Sequence, residues 1–436
     1  MMYYGILPAI LRSVFEPFVD LTVVPVARAV VWVTITLIGT VAAVVLYCSA
    51  RPFVTSGRGR SALAAFSLVA GFLCSPAIML STAAPLYYEP IAIGVLATLL
   101  FILIALPALF GHPLGGTAIV FLGLLAALAF LVRPHMAVGL CLSIFLLWLA
   151  LGRRSGGTLR VFFRPGQFMP IVAAGLLVAA ALVVYLELST QRNGSAFVLR
   201  SLANDVATKG NVFLGYEDVG SARMRAFEEN GTFNLKRIAS NSAFYLVGAN
   251  PLTPRLERAL QLGYIRKETQ PVLIDQWALW FAMSAVFVGA AVACVRRPSR
   301  LDDMGVSPLA CIAVLVGTLV SAVMILSYGT VAYRYACEFW PALFVASALG
   351  LRALAFWLCR ATGPQRLTAI VFLMLLTGGS SVQSLDRSAR NASLGSNLEN
   401  KDFMLREECL ERIAMARTTR ALPTSLCDLP GVGDGG

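Results

Sequence analysis

Ten apolar runs recur along this chain, most of them long enough to cross a lipid bilayer and almost uninterrupted by charge. They cover Ala27 to Cys48, Ser61 to Ser81, Ile91 to Phe110, Thr117 to Val132, Met136 to Leu151, Met169 to Leu188, Val272 to Val295, Pro308 to Leu326, Trp340 to Leu358 and a shorter stretch from Leu367 to Ser381. About 20 residues rising 1.5 Å each cross a hydrocarbon core of about 30 Å. In lipid the backbone N–H and C=O groups have no water to bond, so such a run folds as a helix, which satisfies them within its own segment. The two runs flanking Arg133 are short for that distance and read as tilted or partly spanning helices. Composition agrees, with 58% hydrophobic and 13% charged residues, against about 25% charged in soluble domains. Such a chain has too little polar surface to cover itself in water. The expected fold class is therefore all-α, a polytopic helical bundle of about ten transmembrane helices.

The formal net charge of +12 lies mostly in short arginine clusters between the runs, which argues against a nucleic-acid face. Arg51, Arg58 and Arg60 form one cluster; Arg153, Arg154, Arg160 and Arg164 the next; Arg296, Arg297 and Arg300 a third; Arg360 and Arg366 a fourth. With ten spans, all four fall on one side, and basic loops are retained in the cytoplasm. The expected location is the inner (plasma) membrane, multi-pass, with a large insertion and the C-terminal tail extracytoplasmic. The organisation that follows is an interfacial segment over 1–26, a first helical bundle over 27–188, an insertion over 189–271, a second bundle over 272–381 and a tail over 382–436. Within the first segment Ile10, Leu11, Val14, Phe15, Phe18 and Val19 share one helical face opposite Arg12, Ser13 and Glu16, as in a helix lying along the interface and bent at Pro17. The insertion is polar and carries the turn signals Asn193-Gly194 and Asn230-Gly231, and the tail has a helical stretch near Lys401 to Arg417. Acceptor sequons at Asn193, Asn230 and Asn391 all fall outside, although Asn-Gly is commonly just a turn.

Seven cysteines, Cys48, Cys74, Cys141, Cys294, Cys311, Cys337 and Cys359, lie in or beside the runs and read as small buried hydrophobes. Cys409 and Cys427 fall in the tail, either as a disulfide of an oxidising compartment or as two free thiols. The chain has two histidines, so no histidine-rich metal site is expected, and neither a metal nor another cofactor is implied.

Ionisable groups near hydrocarbon are costly and tend to mark function. Four outward places carry them: Tyr87-Tyr88-Glu89-Pro90, Arg133-Pro134-His135, the stretch from Tyr328 to Pro341 with Tyr333, Arg334, Tyr335 and Glu338, and Asp275-Gln276. Glu89 and Glu338 are the candidate catalytic carboxylates, and Arg133, His135, Arg334, Tyr335, Tyr88 and Asp275 the candidate substrate-binding residues. An arginine fork suits a phosphate, and a carboxylate suits an acceptor hydroxyl. Plainer roles exist for the same residues. Tyr87, Tyr88, Trp277, Trp280 and Trp340 at span ends fit an interfacial aromatic belt. Arg334 and Glu338 have i, i+4 spacing and would pair on a helix, Glu89 and Arg133 would pair across helices, and His135 would serve as a helix cap or interface residue.

These residues sit in sequence blocks, YYGILPAILR, LYYEPIAIG, LAFLVRPHMAVGL, GTFNLKRIASNSAFYL and YRYACEFWPALFVASALGL, in which the chain resembles bacterial integral-membrane glycosyltransferases of the GT-C type. The resemblance is to a poorly characterised branch, and its blocks are scattered over most of the chain. It implies transfer of a sugar from a polyprenyl-phosphate donor to a cell-envelope acceptor on the outer membrane face, with an acidic residue as base. Membrane lipid and the lipid-linked donor are the implied partners, and nothing bears on oligomeric state. Only Glu89, Arg133, Arg334 and Glu338 match positions where the resemblance supplies a motif; in that reading Arg133 and Arg334 hold the donor phosphate and Glu89 orients or deprotonates the acceptor. Typical members carry the base in a first outer loop after a first helix. This sequence has neither, so its true start lies upstream or that base has been lost. The competing expectations are a transporter or flippase, with midplane charges and repeat symmetry that the sequence does not display, and a non-catalytic assembly protein.

Overall fold

The computed structural model describes residue 7 and residues 26–80, 85–154, 165–193, 229–231, 233–248, 251–262, 266–267, 273–296, 303–331 and 335–389. Its membrane helices are α1 (Val26–Ala50), α2 (Gly57–Leu73), α3 (Pro76–Leu80), α4 (Pro85–Leu109), α5 (Gly116–Phe130), α6 (Pro134–Arg154) and α7 (Pro165–Asn193). Two helices of the polar insertion follow, α8 (Arg237–Val247) and α9 (Leu252–Ala259), and then α10 (Leu273–Gln276), α11 (Ala278–Arg296), α12 (Pro308–Leu326), α13 (Ala336–Arg360) and α14 (Gly363–Ala389). Among the described residues, eight helical segments are long and apolar enough to cross a membrane, with α2 and α3 counted together, and α5 and α6 supply two shorter apolar helices. The chain is a polytopic all-α membrane protein. Its extended structure, among the described residues, amounts to the parallel pair β1 (Arg266–Lys267) and β2 (Thr330–Val331) and a bridge from Phe233 to Tyr328.

Proline sets several helix starts. Pro76, Pro85, Pro134, Pro165 and Pro308 each open a helix, where the missing N–H is one the first turn leaves unbonded in any case. At α2 the Ser56 side chain accepts from the Gly59 N–H at 3.1 Å, a side-chain N-cap. Helix α13 is the hub and packs against α1, α4, α11 and α12. One continuous apolar core runs from Val31 to Ala355, so the regions expected as two bundles share a single interior.

Several expectations change at the level of packing. Trp277, Trp280 and Trp340 are at most 1% exposed and do not form an interfacial belt. Trp280 stacks edge-on against Trp340 at 5.5 Å, and Trp277 against Phe339 at 5.7 Å. The run expected as one span over Val272 to Val295 is broken at Trp277, and the Ser61 to Ser81 run is broken at Cys74 and Ser75. The two breaks face each other: Trp280 Nε1 donates to the Cys74 carbonyl, and the Leu279 N–H donates to Ser380 Oγ at 3.1 Å. Interrupted backbone within a membrane survives where neighbours satisfy it, and here α14 supplies much of that service. Its buried stripe of Thr377, Ser380, Ser381, Ser384 and Ser388 lies against the breaks, with Ser388 Oγ on the Ile78 carbonyl at 3.3 Å. For this reason α14 continues to Ala389, beyond the boundary hydropathy set at Ser381. Helix α7 also extends beyond its apolar run, to Asn193. Cys74, Cys294, Cys311 and Cys337 are buried as expected, whereas Cys359 is exposed. The stretches Ile10 to Val19 and Lys401 to Arg417, Cys409, Cys427 and the Asn391 sequon lie outside the described residues.

Candidate functional site

Small residues bring the site together. Ala313, Gly317 and Ser321 on α12 recur every four residues, as do Gly139 and Ser143 on α6, which places each set on one helical face. The two faces meet with almost no side chain between them. A Cβ at Gly139 would strike the Gly317 carbonyl, a Cβ at Gly317 would strike Ser143 Oγ and the Gly139 carbonyl, and Ser143 Oγ donates to the Ala313 carbonyl at 3.1 Å. Small-residue spacing of this kind permits close helix approach in lipid. His135 lies one turn before Gly139 on the same face. At the same level Ser321 Oγ donates to the Glu338 carbonyl at 3.2 Å, tying α12 to the first turn of α13.

Glu338 is fully buried. Its Oε2 meets His135 Nε2 at 2.5 Å, and its Oε1 lies 3.4 Å from Arg133 Nη2. The Arg133 stem crosses α4 at Gly94, where an added Cβ would lie 3.3 Å from Arg133 Cγ. The missing side chain at Gly94 is what lets the guanidinium lie between α4 and α13. Arg133 Nε is buried with no hydrogen-bond acceptor among the described residues. Glu89, five residues before Gly94 on α4, is also fully buried. One carboxylate therefore sits between a fixed cation and an imidazole at the starts of α6 and α13, with a second buried carboxylate on the neighbouring helix.

This arrangement replaces one expected pairing. The ion pair of Arg133 is with Glu338, not Glu89, and Glu338 is engaged by Arg133 and His135. Arg334, and with it the expected pair with Glu338, lies outside the described residues, as does the side chain of Tyr88. His135, expected as a helix cap or interface residue, is a direct partner of the carboxylate. Tyr335 is half-buried three residues before Glu338, its ring edge-on to Tyr328 at 6.0 Å. Asp275 is exposed on α10, and among the described residues no ion pair joins it to the cluster.

Two arginines with structural roles escaped the sequence reading. Arg237 on α8 is 1% exposed and donates from Nη1 to the Gly231 carbonyl at 2.8 Å. Burial pulls its guanidinium below the ordinary arginine range, and the nearby Tyr328 phenol offsets part of that. One turn on, Asn241 Nδ2 donates to the carbonyls of Leu326 and Tyr328 at 2.8 and 3.0 Å, satisfying backbone that the end of α12 leaves open. Tyr245 packs edge-on against Phe339 at 5.2 Å, so α8 is fastened to the end of α12 and to α13. The signal available in sequence was the apolar and amide spacing of Asn241, Phe244 and Tyr245 in a segment otherwise polar.

Arg352 lies at the far end of α13, 14 residues and about 21 Å of helix from Glu338. It donates to the Met304 and Ser49 carbonyls at 2.8 and 3.1 Å and lies over the rings of Phe110 and Phe53. Phe53 in turn meets Phe356 edge-on. That contact puts the Arg51 loop and the turn after α13 at one end of the bundle, opposite the Glu338 cluster. Among the described residues, no group of three or more His, Cys, Asp or Glu side chains is placed to hold a metal ion.

Compared with protein-family models, with curated proteins and with solved structures, the chain gives no significant match. Its class is therefore defined by its own architecture, a helical membrane protein with a buried Glu338 carboxylate engaged by Arg133 and His135 at one end.

Proposed function

We propose that the chain is a membrane glycosyltransferase that moves a sugar from a polyprenyl-phosphate donor to a cell-envelope acceptor on the outer face. The observation that carries this reading is the buried Glu338 carboxylate held by Arg133 and His135 at the end of the bundle opposite the Arg51, Arg58 and Arg60 loop, which as a basic loop belongs to the cytoplasm. In the transfer, the acceptor hydroxyl attacks the anomeric carbon, and its proton passes to the Glu338–His135 pair as general base. The bond from that carbon to the phosphate oxygen breaks, and its electron pair leaves with the polyprenyl phosphate. Arg133, whose Nε has no acceptor among the described residues, would swing its fork from Glu338 to the departing phosphate and stabilise its charge. Glu89, buried on α4, would orient the acceptor. The resemblance of the surrounding blocks to GT-C enzymes points the same way.

The test is incubation of the full chain in nanodiscs with labelled polyprenyl-phosphate sugars and envelope acceptors. Transfer by the wild type and its loss in Glu338→Gln support the reading; no transfer with any donor, or full transfer by Glu338→Gln, overturns it.

A second reading, a carrier or flippase for an anionic lipid-linked solute, draws on the paired helix breaks at Cys74 and Trp277, because interrupted helices often line transport sites. Flux of labelled lipid-linked sugar across proteoliposomes without chemical transfer selects that reading.

A further inference from the structure

The end of the bundle opposite Glu338 carries a crevice that neither the proposed chemistry nor the apolar core accounts for. It lies between the end of α13 and the start of α14, has a volume of roughly 410 Å³, and is lined by Trp357, Pro364, Gln365, Thr368, Ala369 and Phe372. That volume falls in the range of small-molecule sites, about 300 to 1,000 Å³. Gln365, Thr368, Ala369 and Phe372 recur at i, i+3, i+4 and i+7 and form one stripe of α14 facing Trp357, and both helices are long and apolar enough to cross the membrane. The crevice thus opens towards the hydrocarbon, with Trp357 and Phe372 45% and 57% exposed.

The inter-helix turn at its head carries two arginines. Arg360 follows Trp357 by three residues on α13 and lies over the Phe356 ring at 3.8 Å. Arg366 folds back across the turn between the helices, with Nε on the Leu358 carbonyl at 3.0 Å and Nη2 on the Ala361 carbonyl at 3.3 Å. Both guanidiniums are exposed. Among the described residues the carboxylate paired with them is Asp303, 3.7 Å from Arg360 and itself about half-exposed. The loop bearing Arg51, Arg58 and Arg60 lies at the same end, joined to it through Phe53 and Phe356. An apolar slot below two guanidiniums at a membrane surface matches one chemistry: acyl chain along the slot, anionic phosphate at the arginines.

We infer that this crevice binds an acidic phospholipid, its phosphate held by Arg360 and Arg366 and one acyl chain laid between Trp357 and Phe372. The site is independent of the glycosyl-transfer reading.

The test is native mass spectrometry of the full chain released from nanodiscs of equal phosphatidylglycerol and phosphatidylcholine. The wild type is expected to retain phosphatidylglycerol over phosphatidylcholine. Arg360→Gln and Arg366→Gln should each weaken that retention about fivefold, the scale of one basic residue at an anionic surface. Arg366 also bonds the backbone of the turn, so a second variant, Ala369→Trp, fills the slot and leaves both arginines in place; it too should lose the retained lipid. Equal retention of the two lipids by the wild type overturns the inference, and so does a filled-slot variant that retains phosphatidylglycerol as the wild type does.

Discussion

His135 and Glu338, 203 positions apart in the chain, meet through Nε2 and Oε2 at 2.5 Å, and the carboxylate is fully buried. Arg133 shares that carboxylate, so the buried group is matched by a partly exposed cation. Removing one partner of a buried pair costs about 3 to 5 kcal/mol, because the other charge stays behind unmatched. Glu338→Gln keeps the shape and strands the Arg133 guanidinium, which retains 22% exposure; the expected loss is therefore at the low end, about 3 kcal/mol. Arg133→Gln combined with Glu338→Gln should recover part of it. Equilibrium unfolding in detergent of the two singles and the double reads the coupling, and strictly additive losses would show that the pair does not interact.

The register that delivers His135 to Glu338 is set by Gly139 and Gly317. Gly317→Ala places a methyl group against Ser143 Oγ and the Gly139 carbonyl, and a backbone carbonyl cannot turn aside. Helices α6 and α12 must then separate, at a cost of about 1 to 3 kcal/mol typical of overpacking. His135 moves with α6, so any activity that depends on Glu338 should fall further than stability does. Gly289→Ala on α11 meets nothing within 4 Å and should leave both unchanged. If Gly317→Ala behaves like Gly289→Ala, close helix approach does not hold the site.

Hydropathy alone made the spans legible, and Pro308 to Leu326 was read with the bounds the structure gives it. It failed where helices are stabilised by polar contacts with neighbours, as in α14, whose serine stripe looks like the start of a polar tail until Cys74, Ile78 and Leu279 are packed against it. It misassigned Trp277, Trp280 and Trp340 for a related reason: an aromatic residue at a span end looks the same whether lipid or another helix lies beside it. At the site, Arg133, His135 and Glu338 could each be singled out, because charge in an apolar setting is conspicuous in any sequence. Their partnership could not, since it depends on the lateral order of α6, α12 and α13. Arg237 and Arg352 were missed because their acceptors are backbone carbonyls, which leave no trace in residue identity.

The paired helix breaks give a third test. Trp280 Nε1 satisfies the Cys74 carbonyl, and Ser380 Oγ accepts from the Leu279 N–H. Trp280→Phe keeps an aromatic ring and removes the donor, leaving a buried carbonyl that costs about 1 to 3 kcal/mol to strand. Ser380→Ala strands the Leu279 N–H at a similar cost. Both variants should unfold earlier in thermal melts, and Ser380→Thr, which keeps the hydroxyl, should sit nearer the wild type than Ser380→Ala does. Melts of Trp280→Phe and Ser380→Ala that coincide with the wild type would mean the breaks are satisfied by other means.

Fastening of α8 beside Glu338 rests on Asn241 more than on helix propensity, since an isolated 11-residue helix is marginal in water. Asn241→Leu keeps roughly the volume but removes both bonds to the Leu326 and Tyr328 carbonyls, each contributing about 0.5 to 1.5 kcal/mol net. Local opening of α8 should become easier by about that sum, which raises amide exchange over 237–247 by about tenfold or more. Tyr245→Ala, which removes the ring on Phe339, should loosen the other end of α8 in the same way. Exchange in α12 and α13 below should hardly change, because their bonds are internal. Hydrogen exchange with peptide-level readout distinguishes this from global loss of stability: if protection in α8 is unchanged, or falls together with α12 and α13, Asn241 is not a local fastening and the helix is held by the fold as a whole.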